Sequence, residues 1–218
     1  MPTITKNSLS FPDFGWQVRQ EDAFNKTWVN PTETAHLSVD FFDGSPDLPT
    51  LEDGIDAIRN HYRLQLVAAE GGLIHTDFTD LSQIPALKTI FKIPKQPTGM
   101  GYVGALTIPF NECSFVVKIQ SAADQSTGVR ESTVLQQLMQ RGSLTFEGDS
   151  IKGWAFDPYD PDYAHGRLMT IPEREQFDEG FPKHPLSLVR RLLATIEQEL
   201  RFSVEIADLK PFYRPHSD

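Results

Sequence analysis

The chain has little of what most catalytic and anchoring chemistries need, and each shortage excludes a class. A single cysteine, Cys113, excludes an intrachain disulfide and a cysteine-rich structural zinc site. Because Cys113 precedes an apolar strand, we expect a buried structural thiol. No segment approaches the ~18 apolar residues of a membrane span, and the first residues lack the apolar run of a signal peptide. We therefore expect a cytoplasmic protein that does not contact a membrane.

Positive charge is also scarce. The formal net charge is −10, and no cluster of Lys and Arg is present, which argues against a nucleic-acid partner. Acidic charge is dense between residues 40 and 56, with no basic residue among the acids. This run predicts a solvated acidic face, and the alternative is a docking surface for a basic partner. The acids in it are Asp40, Asp43, Asp47, Glu52, Asp53 and Asp56.

Motifs for nucleotide binding and nucleophilic catalysis are present only as weak matches. Gly99–Gly104 fits G-x-G-x-x-G, and Asp124 lies twenty residues further on. The motif follows a proline-rich loop and opens into a strand, so no helix N-terminus is available for a pyrophosphate. Gly148–Gly153 narrowly misses the nucleophile-elbow pattern. We interpret the first motif as loop glycines and the second as a turn.

Apolar periodicity predicts strands, a helix, further strands and two more helices. A hairpin over 24–41 turns at Asn30, and a helix from about Leu51 to Ala69 has Thr50 as its N-cap. Strands are expected over 73–78, 86–92, 102–108 and 114–120, and a helix over 129–140. The connections are too short for parallel crossovers, so the four strands form an antiparallel meander.

The last third of the chain joins an acidic, aromatic, proline-rich stretch to an amphipathic helix. Pro185 suits the first position of that helix, which places His184 at the N-cap. The helix carries an apolar stripe at helical spacing, formed by Val189, Leu192, Leu193, Ile196 and Leu200. The fold class is therefore α+β, an antiparallel sheet covered by helices. We expect one α+β domain over 1–150 and a C-terminal elaboration over 151–218 packed on it.

Residues 8–142 resemble the PsbP/Mog-type α/β/α sandwich. The resemblance rests on W-V-N at Trp28–Asn30, I-R-N-H-Y-R at Ile58–Arg63, Y-V-G-A-L-T-I-P-F at Tyr102–Phe110, S-F-V-V-K-I-Q at Ser114–Gln120 and T-G-V-R-E-S at Thr127–Ser132. Proteins of this group are mostly non-catalytic, and they bind a photosystem, a small GTPase or, as Eag-type chaperones, a type VI secretion effector. The resemblance implies a binding or adaptor role, and no family motif maps site residues onto this chain.

The stretch over 154–184 contains the candidate site residues. Asp157, Asp160 and Asp162 offer carboxylates to a hard cation, although Pro158 and Pro161 favour Asx turns instead. The aromatic side chains either pin the stretch to the domain or serve as interface anchors. The partner-binding candidates are Trp154, Asp157, Tyr159, Asp160, Asp162, Tyr163, Phe181 and His184.

Our leading hypothesis is a non-enzymatic adaptor or chaperone-like protein that recognises a protein partner, with no catalytic residue, metal or cofactor. One alternative is a divalent-metal-dependent hydrolase that uses Asp157, Asp160 and Asp162 with His184. Another is a homo-oligomeric structural component.

Overall fold

The computed structural model describes residues 4–95, 99–122, 128–148 and 150–212. Asp124, Thr127 and Asp149, which belong to three of the patterns above, lie outside these residues. The helices are α1 (Ile55–Ala68), α2 (Gly128–Gln140) and α3 (Pro185–Glu199). The strands are β1 (Leu9–Ser10), β2 (Gln17–Glu21), β3 (Asn25–Val29), β4 (Ala35–Asp43), β5 (Gly72–Leu81), β6 (Ile84–Pro94), β7 (Met100–Pro109), β8 (Cys113–Ala122), β9 (Phe146–Glu147), β10 (Ser150–Ile151), β11 (Ala155–Phe156), β12 (Met169–Thr170) and β13 (Arg201–Phe202). Short 3₁₀ turns lie at Lys6–Ser8, Leu51–Asp53, Ile171–Glu173, Glu175–Phe177 and Val204–Asp208.

One antiparallel sheet of seven strands organises these residues, in the order β2-β3-β4-β8-β7-β6-β5. The predicted hairpin is β3 and β4, and the predicted meander is β5 to β8, so both are confirmed. Pairing of β4 with β8 joins the two parts. The edge strand β2 escaped prediction because all of its residues are exposed and it has no buried face to create a period-two pattern.

The first predicted helix is interrupted near its start. Thr50 and Asp53 form the expected capping box, with Asp53 N donating to Thr50 Oγ1 over 3.2 Å and Thr50 N donating to Asp53 Oδ2 over 2.8 Å. They cap a 3₁₀ turn, however, and Gly54 with φ of +82° separates that turn from α1. The prediction of one continuous helix from Leu51 was therefore wrong, because Gly54 adopts a conformation no helix contains.

The two faces of the sheet hold different cores. On one face α3 buries its predicted stripe against β7 and β8, together with Leu106, Ile108, Phe115 and Val117. On the other face α1 covers a smaller cluster around Ile58. The α+β class, an antiparallel sheet with helices on its faces, is confirmed.

Gly104 explains the glycine pattern at the start of β7. A Cβ there would lie 2.6 Å from Val189 Cγ1 and 3.0 Å from Leu193 Cδ2, so the missing side chain lets α3 approach the sheet. Gly101 and Gly104 lie inside β7, so the interpretation of these two residues as loop glycines was wrong. The role of Gly104 is in packing.

Candidate functional site

The acidic, aromatic stretch is an ordered segment, which we call the strap (residues 154–184). Strands β11 and β12 pair antiparallel within it and close a loop over 157–168. That loop contacts α1, whereas the part after it contacts β6, β7, α2 and α3. Because α1 and α3 lie on opposite faces of the sheet, the strap passes over the edge that β5 forms.

A buried ion pair ties the strap to α1. The Arg63 guanidinium donates through Nε to Asp157 Oδ2 over 3.0 Å and through Nη2 to Asp157 Oδ1 over 2.5 Å. The two side chains are 8% and 3% exposed, so little of the pair contacts water. Asp157 raises the pKa of Arg63. This carboxylate is therefore engaged within the chain, in a geometry in which loss of either partner would leave a buried charge.

Two of the three strap carboxylates that could have ligated a cation, Asp157 and Asp160, form consecutive Asx turns. Asp157 Oδ1 accepts from the backbone N–H groups of Tyr159 and Asp160, each over 3.0 Å. Asp160 Oδ1 accepts from the N–H of Asp162 over 3.0 Å. The Asx-turn interpretation is confirmed for Asp157 and Asp160. Within the residues that the structure describes, no three His, Cys, Asp or Glu side chains converge as a metal site would require.

Tyr159 fastens the strap to the edge strand. Its hydroxyl accepts from the backbone N–H of Thr76 on β5 over 2.7 Å, and its burial raises the tyrosine pKa. The guanidinium of Arg59 on α1 lies 3.7 Å from the ring centroid, a cation–π contact. Further along, the carbonyl oxygen of Arg167 occupies the space where a Cβ of Gly72 would lie, 1.9 Å away. The strap therefore covers an edge that would otherwise be open to pairing with another chain.

A second buried cluster holds the end of the strap to the sheet. The Glu173 carboxylate accepts from Lys92 Nζ over 2.6 Å, from the Tyr102 hydroxyl over 3.0 Å and from the N–H of Thr170 over 2.7 Å. Burial, followed by the charge of Glu173, raises the pKa of Tyr102 far above its usual value. The glutamate is 2% exposed, so its charge is neutralised by Lys92 in place of water.

Arg130 joins α2 to the same segment. Its guanidinium is 1% exposed and donates to the carbonyl of Pro172 over 2.6 Å and to Ser187 Oγ over 2.8 Å. It also donates to the carbonyl of Arg174 over 3.0 Å and pairs with Asp178 over 2.8 Å. Arg130 therefore has a structural role, because few of its five N–H donors remain free to bind a ligand.

His184 has the structural role that the sequence predicted. Its Nδ1 accepts from the N–H of Leu186 over 3.2 Å and so caps α3. Burial, followed by the positive charge of Arg130, lowers the pKa of His184 to about 4, so the ring is neutral at pH 7. The proton then sits on Nε2, which lies 4.0 Å from Glu131 Oε1 and has no hydrogen-bond partner among the described residues. Burial raises the pKa of Glu131.

Six of the eight predicted contact residues thus separate into two groups. Asp157, Asp160 and the rings of Tyr159 and Tyr163 gather beside α1, where Arg63 lies 4.8 Å from the centroid of Tyr163. Phe181 and His184 lie beside α2 and α3, with Arg130 at 5.9 Å from the centroid of Phe181. The indole of Trp154 is half-buried at the base of the loop, and Asp162 is exposed. Burial of Asp157 and His184 leaves the half-exposed aromatic side chains, with Asp160 and Asp162, as the accessible part of this set.

A different surface combines exposed aromatic and acidic side chains. We call it the aromatic groove, a cavity of about 460 Å³ at the ends of β3 and β4. Its lining comprises Ile4, Thr5, Ala23, Phe24, Phe41, Asp43, Glu112, Cys113 and Leu209. None of these residues is basic, and the acids Asp43 and Glu112 are exposed with no ion pair formed inside the described ranges. The groove is thus apolar at its floor and negative at its rim.

An aromatic row forms the floor of the groove. Phe24 stacks on Phe41 with ring centroids 6.4 Å apart, and Phe41 contacts Phe115 over 5.1 Å. The row begins at the surface, where Phe24 is 56% exposed, and ends in the core, where Phe115 is fully buried. An apolar ring held rigidly at the surface by the core behind it is the geometry of an interface anchor.

The pKa of the Cys113 thiol is raised in part by the negative charges of this groove. Its burial, and then the charges of Glu112 and Asp43, raise the pKa of the thiol to about 11. The thiol is therefore protonated at neutral pH and is a poor nucleophile. The expectation of a buried structural cysteine is confirmed, because Cys113 is 4% exposed.

The acidic run over 40–56 contributes Asp43 to the groove. Lys118 Nζ pairs with Asp40 over 2.9 Å, and Arg59 pairs with Asp56 over 2.9 Å. Asp43 and its exposed neighbours Asp47 and Glu52 form no ion pair in the part of the chain that is described. The negative surface predicted from the sequence is therefore partly compensated and is free near the groove.

Comparisons with known proteins reveal a similarity of fold but no sequence match. No family model and no curated protein matches the chain. Among solved structures, a point variant of the protein Mog1 is similar, with a TM-score of 0.43, 8% identity, and coverage of 89% of this chain and 90% of that one. Cyanobacterial PsbP from Synechocystis is similar with a TM-score of 0.36 and 12% identity, covering 63% of this chain and 87% of that one. A protein from Bacteroides thetaiotaomicron is similar with a TM-score of 0.36 and 11% identity, covering 82% of this chain and 56% of that one.

These likenesses concern fold alone, and they confirm the weak PsbP/Mog-type resemblance expected from the sequence. No helix of the described residues has the length and apolar character needed to cross a membrane.

The sequence did not indicate the aromatic groove, although it did carry a signal for an exposed ring outside the groove lining, Phe42. Phe41 and Phe42 are adjacent at the end of a strand, and alternation places successive side chains on opposite faces. One face there is core, so the other phenylalanine has to be exposed, and Phe42 is 51% exposed. Phe24, by contrast, reads as an ordinary strand residue, because only the pairing of β3 with β4 brings it onto Phe41.

Proposed function

We propose that this chain is a non-enzymatic binding protein that docks a basic segment of a protein partner in the aromatic groove. The observation that carries the proposal is Phe24, an exposed aromatic ring stacked on a core-anchored ring in a groove that two exposed, unpaired acids also line. A large exposed aromatic side chain on a rigid support is typical of an interface hot spot.

Charge decides which kind of partner suits the groove. Asp43 and Glu112 lie at its rim, and no Lys, Arg or His lines it within the described residues. A segment with Lys or Arg next to an aliphatic or aromatic residue would satisfy both the rim and the floor. The electrostatic part of such binding raises the association rate and weakens with salt.

The strap offers a second candidate surface, formed by the half-exposed side chains of Trp154, Tyr163 and Phe181. Tyr and Trp are enriched in interfaces, which keeps this predicted surface in the proposal. It ranks below the groove because the strap aromatics also pack against Arg63 and Arg130. The proposed hydrolase gains no support from its residues, since Asp157 is engaged by Arg63 and His184 by the cap of α3.

Selection of random peptides displayed on phage against the purified chain tests the proposal. We expect enriched peptides that place Lys or Arg beside an apolar residue, and binding of a synthetic peptide that weakens as salt rises. Phe24→Ser should weaken that peptide's binding at least tenfold, measured by calorimetry. Phe146→Ser is the matched control, because Phe146 is 57% exposed and Phe24 is 56% exposed.

Other results would assign the function differently. Loss of binding in Tyr163→Ser but not in Phe24→Ser would move the interface to the strap. No enrichment, together with a stable dimer in sedimentation, would support the homo-oligomeric component. Enrichment of acidic peptides would overturn the proposal.

A further inference from the structure

A cavity of about 360 Å³ lies under the strap, between β5, β6 and α3. Its floor is apolar and includes Ile90, Phe156, Met169 and Ala194. A cavity of this size that is mostly apolar, with a few polar groups at one side, is typical of small-molecule sites. We call it the strap cavity.

Three cations line the strap cavity, in a chain whose net charge is −10: Lys88, Arg174 and Arg190. Lys88 pairs with Glu197 over 2.6 Å, and Arg190 pairs with Asp178 over 3.0 Å. Neither of these two acids lines the cavity within the described residues, so the cations lie between their partners and the cavity. The one lining acid is Glu175, at the exposed side.

Of the three cations, Arg174 has no ion-pair partner in the described part of the chain. Its guanidinium stacks on Phe156 at 4.7 Å from the ring centroid, and no carboxylate contacts it in the described part of the chain. Stacking fixes the plane of the guanidinium and leaves its N–H edge available for a carboxylate in the bidentate arrangement.

His75, which also lines the cavity, lies near two of these cations, Lys88 and Arg190. Burial, followed by the charge of Lys88, lowers the pKa of His75, whereas Asp77 and Glu175 act in the opposite direction. His75 is therefore neutral at pH 7, and its Nδ1 lies 3.4 Å from the Tyr159 hydroxyl. An anionic group placed there would meet three cations and one acid, Glu175.

We propose that the strap cavity binds an amphipathic organic monocarboxylate, with its apolar body on Ile90 and Met169 and its carboxylate on Arg174. The site is separate from the aromatic groove, so it stands or falls independently of the protein-binding function. Its occupant contacts both the strap and α3.

Calorimetry with octanoate as the probe tests this site. We expect one saturable site with Kd below about 1 mM. Acetate carries the charge without the apolar body, and octylamine carries the body with the opposite charge, so neither should bind at the same concentration. Arg174→Gln should weaken octanoate binding at least tenfold. Arg141→Gln is the matched control, since it removes the same charge from an exposed arginine that lies outside the cavity lining.

A second variant removes any ambiguity from charge or folding. Ala194→Phe fills the cavity with an apolar ring and leaves every cation in place, so it should abolish octanoate binding in a chain whose circular dichroism is unchanged. Amide chemical shifts should move at Ile90 and Met169 on titration. No saturable binding up to about 10 mM octanoate would overturn the proposal. So would equal binding by Ala194→Phe, or equal affinity for octylamine.

Discussion

Individual side chains determine where the strap lies. Asp157 and Glu173 are buried carboxylates in the strap, and each is neutralised by a cation from another element, Arg63 in α1 and Lys92 in β6. A buried ion pair contributes little net stability compared with an apolar pair of the same volume. Its effect is on position, because a strap shifted by one residue would leave four charges buried without partners.

Removing one carboxylate charge should therefore be strongly destabilising. In Asp157→Asn, Arg63 loses its counter-charge while 8% exposed, and we expect the free energy of unfolding to fall by about 3–5 kcal/mol. Urea denaturation monitored by circular dichroism measures the change. Asp162→Asn, in the same loop but exposed, should stay within about 0.5 kcal/mol of the parent chain. Similar values for the two variants would show that the pair is dispensable.

A glycine sets the closest approach of the strap to the sheet. In Gly72→Ala the new Cβ would meet the Arg167 carbonyl at 1.9 Å, so the strap backbone has to shift. We expect a loss of about 1–3 kcal/mol in urea denaturation, the usual effect of overpacking. Gly180→Ala is the control, because its Cβ would find only an ordinary contact, at 3.6 Å from the Phe177 carbonyl. If both substitutions are tolerated equally, the strap does not lie as described.

At the scale of secondary-structure elements, features encoded by neighbouring residues could be predicted from the sequence. Contacts between residues far apart in the chain could not. Pro185 and His184 predict the start of α3, because an N-cap and an N1 proline act within one turn of the chain. The partner of Asp157 lies 94 residues away, and no local pattern encodes which arginine it meets. The fold could thus be predicted from periodicity, whereas the strap contacts and the aromatic groove depend on strand pairing that the sequence leaves open.

The cap of α3 makes stability depend on pH. The pKa of His184 falls from 6.5 in the unfolded chain to about 4 in the folded one, so between these values the unfolded state binds more protons. The free energy of unfolding should therefore decrease by about 2–3 kcal/mol as the pH falls through this window. Protonation also removes the acceptor for the N–H of Leu186.

His184→Asn separates this contribution from other titrations. Asparagine caps helices without titrating, so the variant should lose less stability between pH 6.5 and 4 than the parent chain. Urea denaturation at several pH values gives the difference. Identical pH profiles for the two chains would place the titrating group elsewhere, for example at His75, whose pKa is also lowered.

At the scale of the whole molecule, the two edges of the sheet differ. The strap covers β5, whereas β2 has every residue exposed and no described strand on its outer side. A register shift between Val18 and Gln20 and the charged residues Arg19 and Glu21 are features that discourage pairing with another chain at such an edge. The open edge is thus protected by its own sequence and the covered edge by another part of the chain.

The C-terminal third should be indispensable for folding. A chain ending at Ser150 lacks α3, and without it the buried faces of β7 and β8 meet water. We expect such a chain to lose near-ultraviolet circular dichroism and cooperative urea unfolding, and to bind an apolar dye, as loosely packed states do. Cooperative unfolding of residues 1–150 would instead show that 151–218 is a dispensable addition to an independent domain.

The long separation between the strap and its edge strand has a consequence during synthesis. All four strands of the meander leave the ribosome before the strap does, and Glu173 follows the end of β5 at Leu81 by 92 residues. At ordinary elongation rates of about 5–20 residues per second, β5 stays uncovered on the nascent chain for roughly 5–20 s. During that interval neighbouring nascent chains on one messenger could pair through it. Translation speed and chaperone occupancy, more than the final stability, should therefore govern how much of this protein reaches its native state.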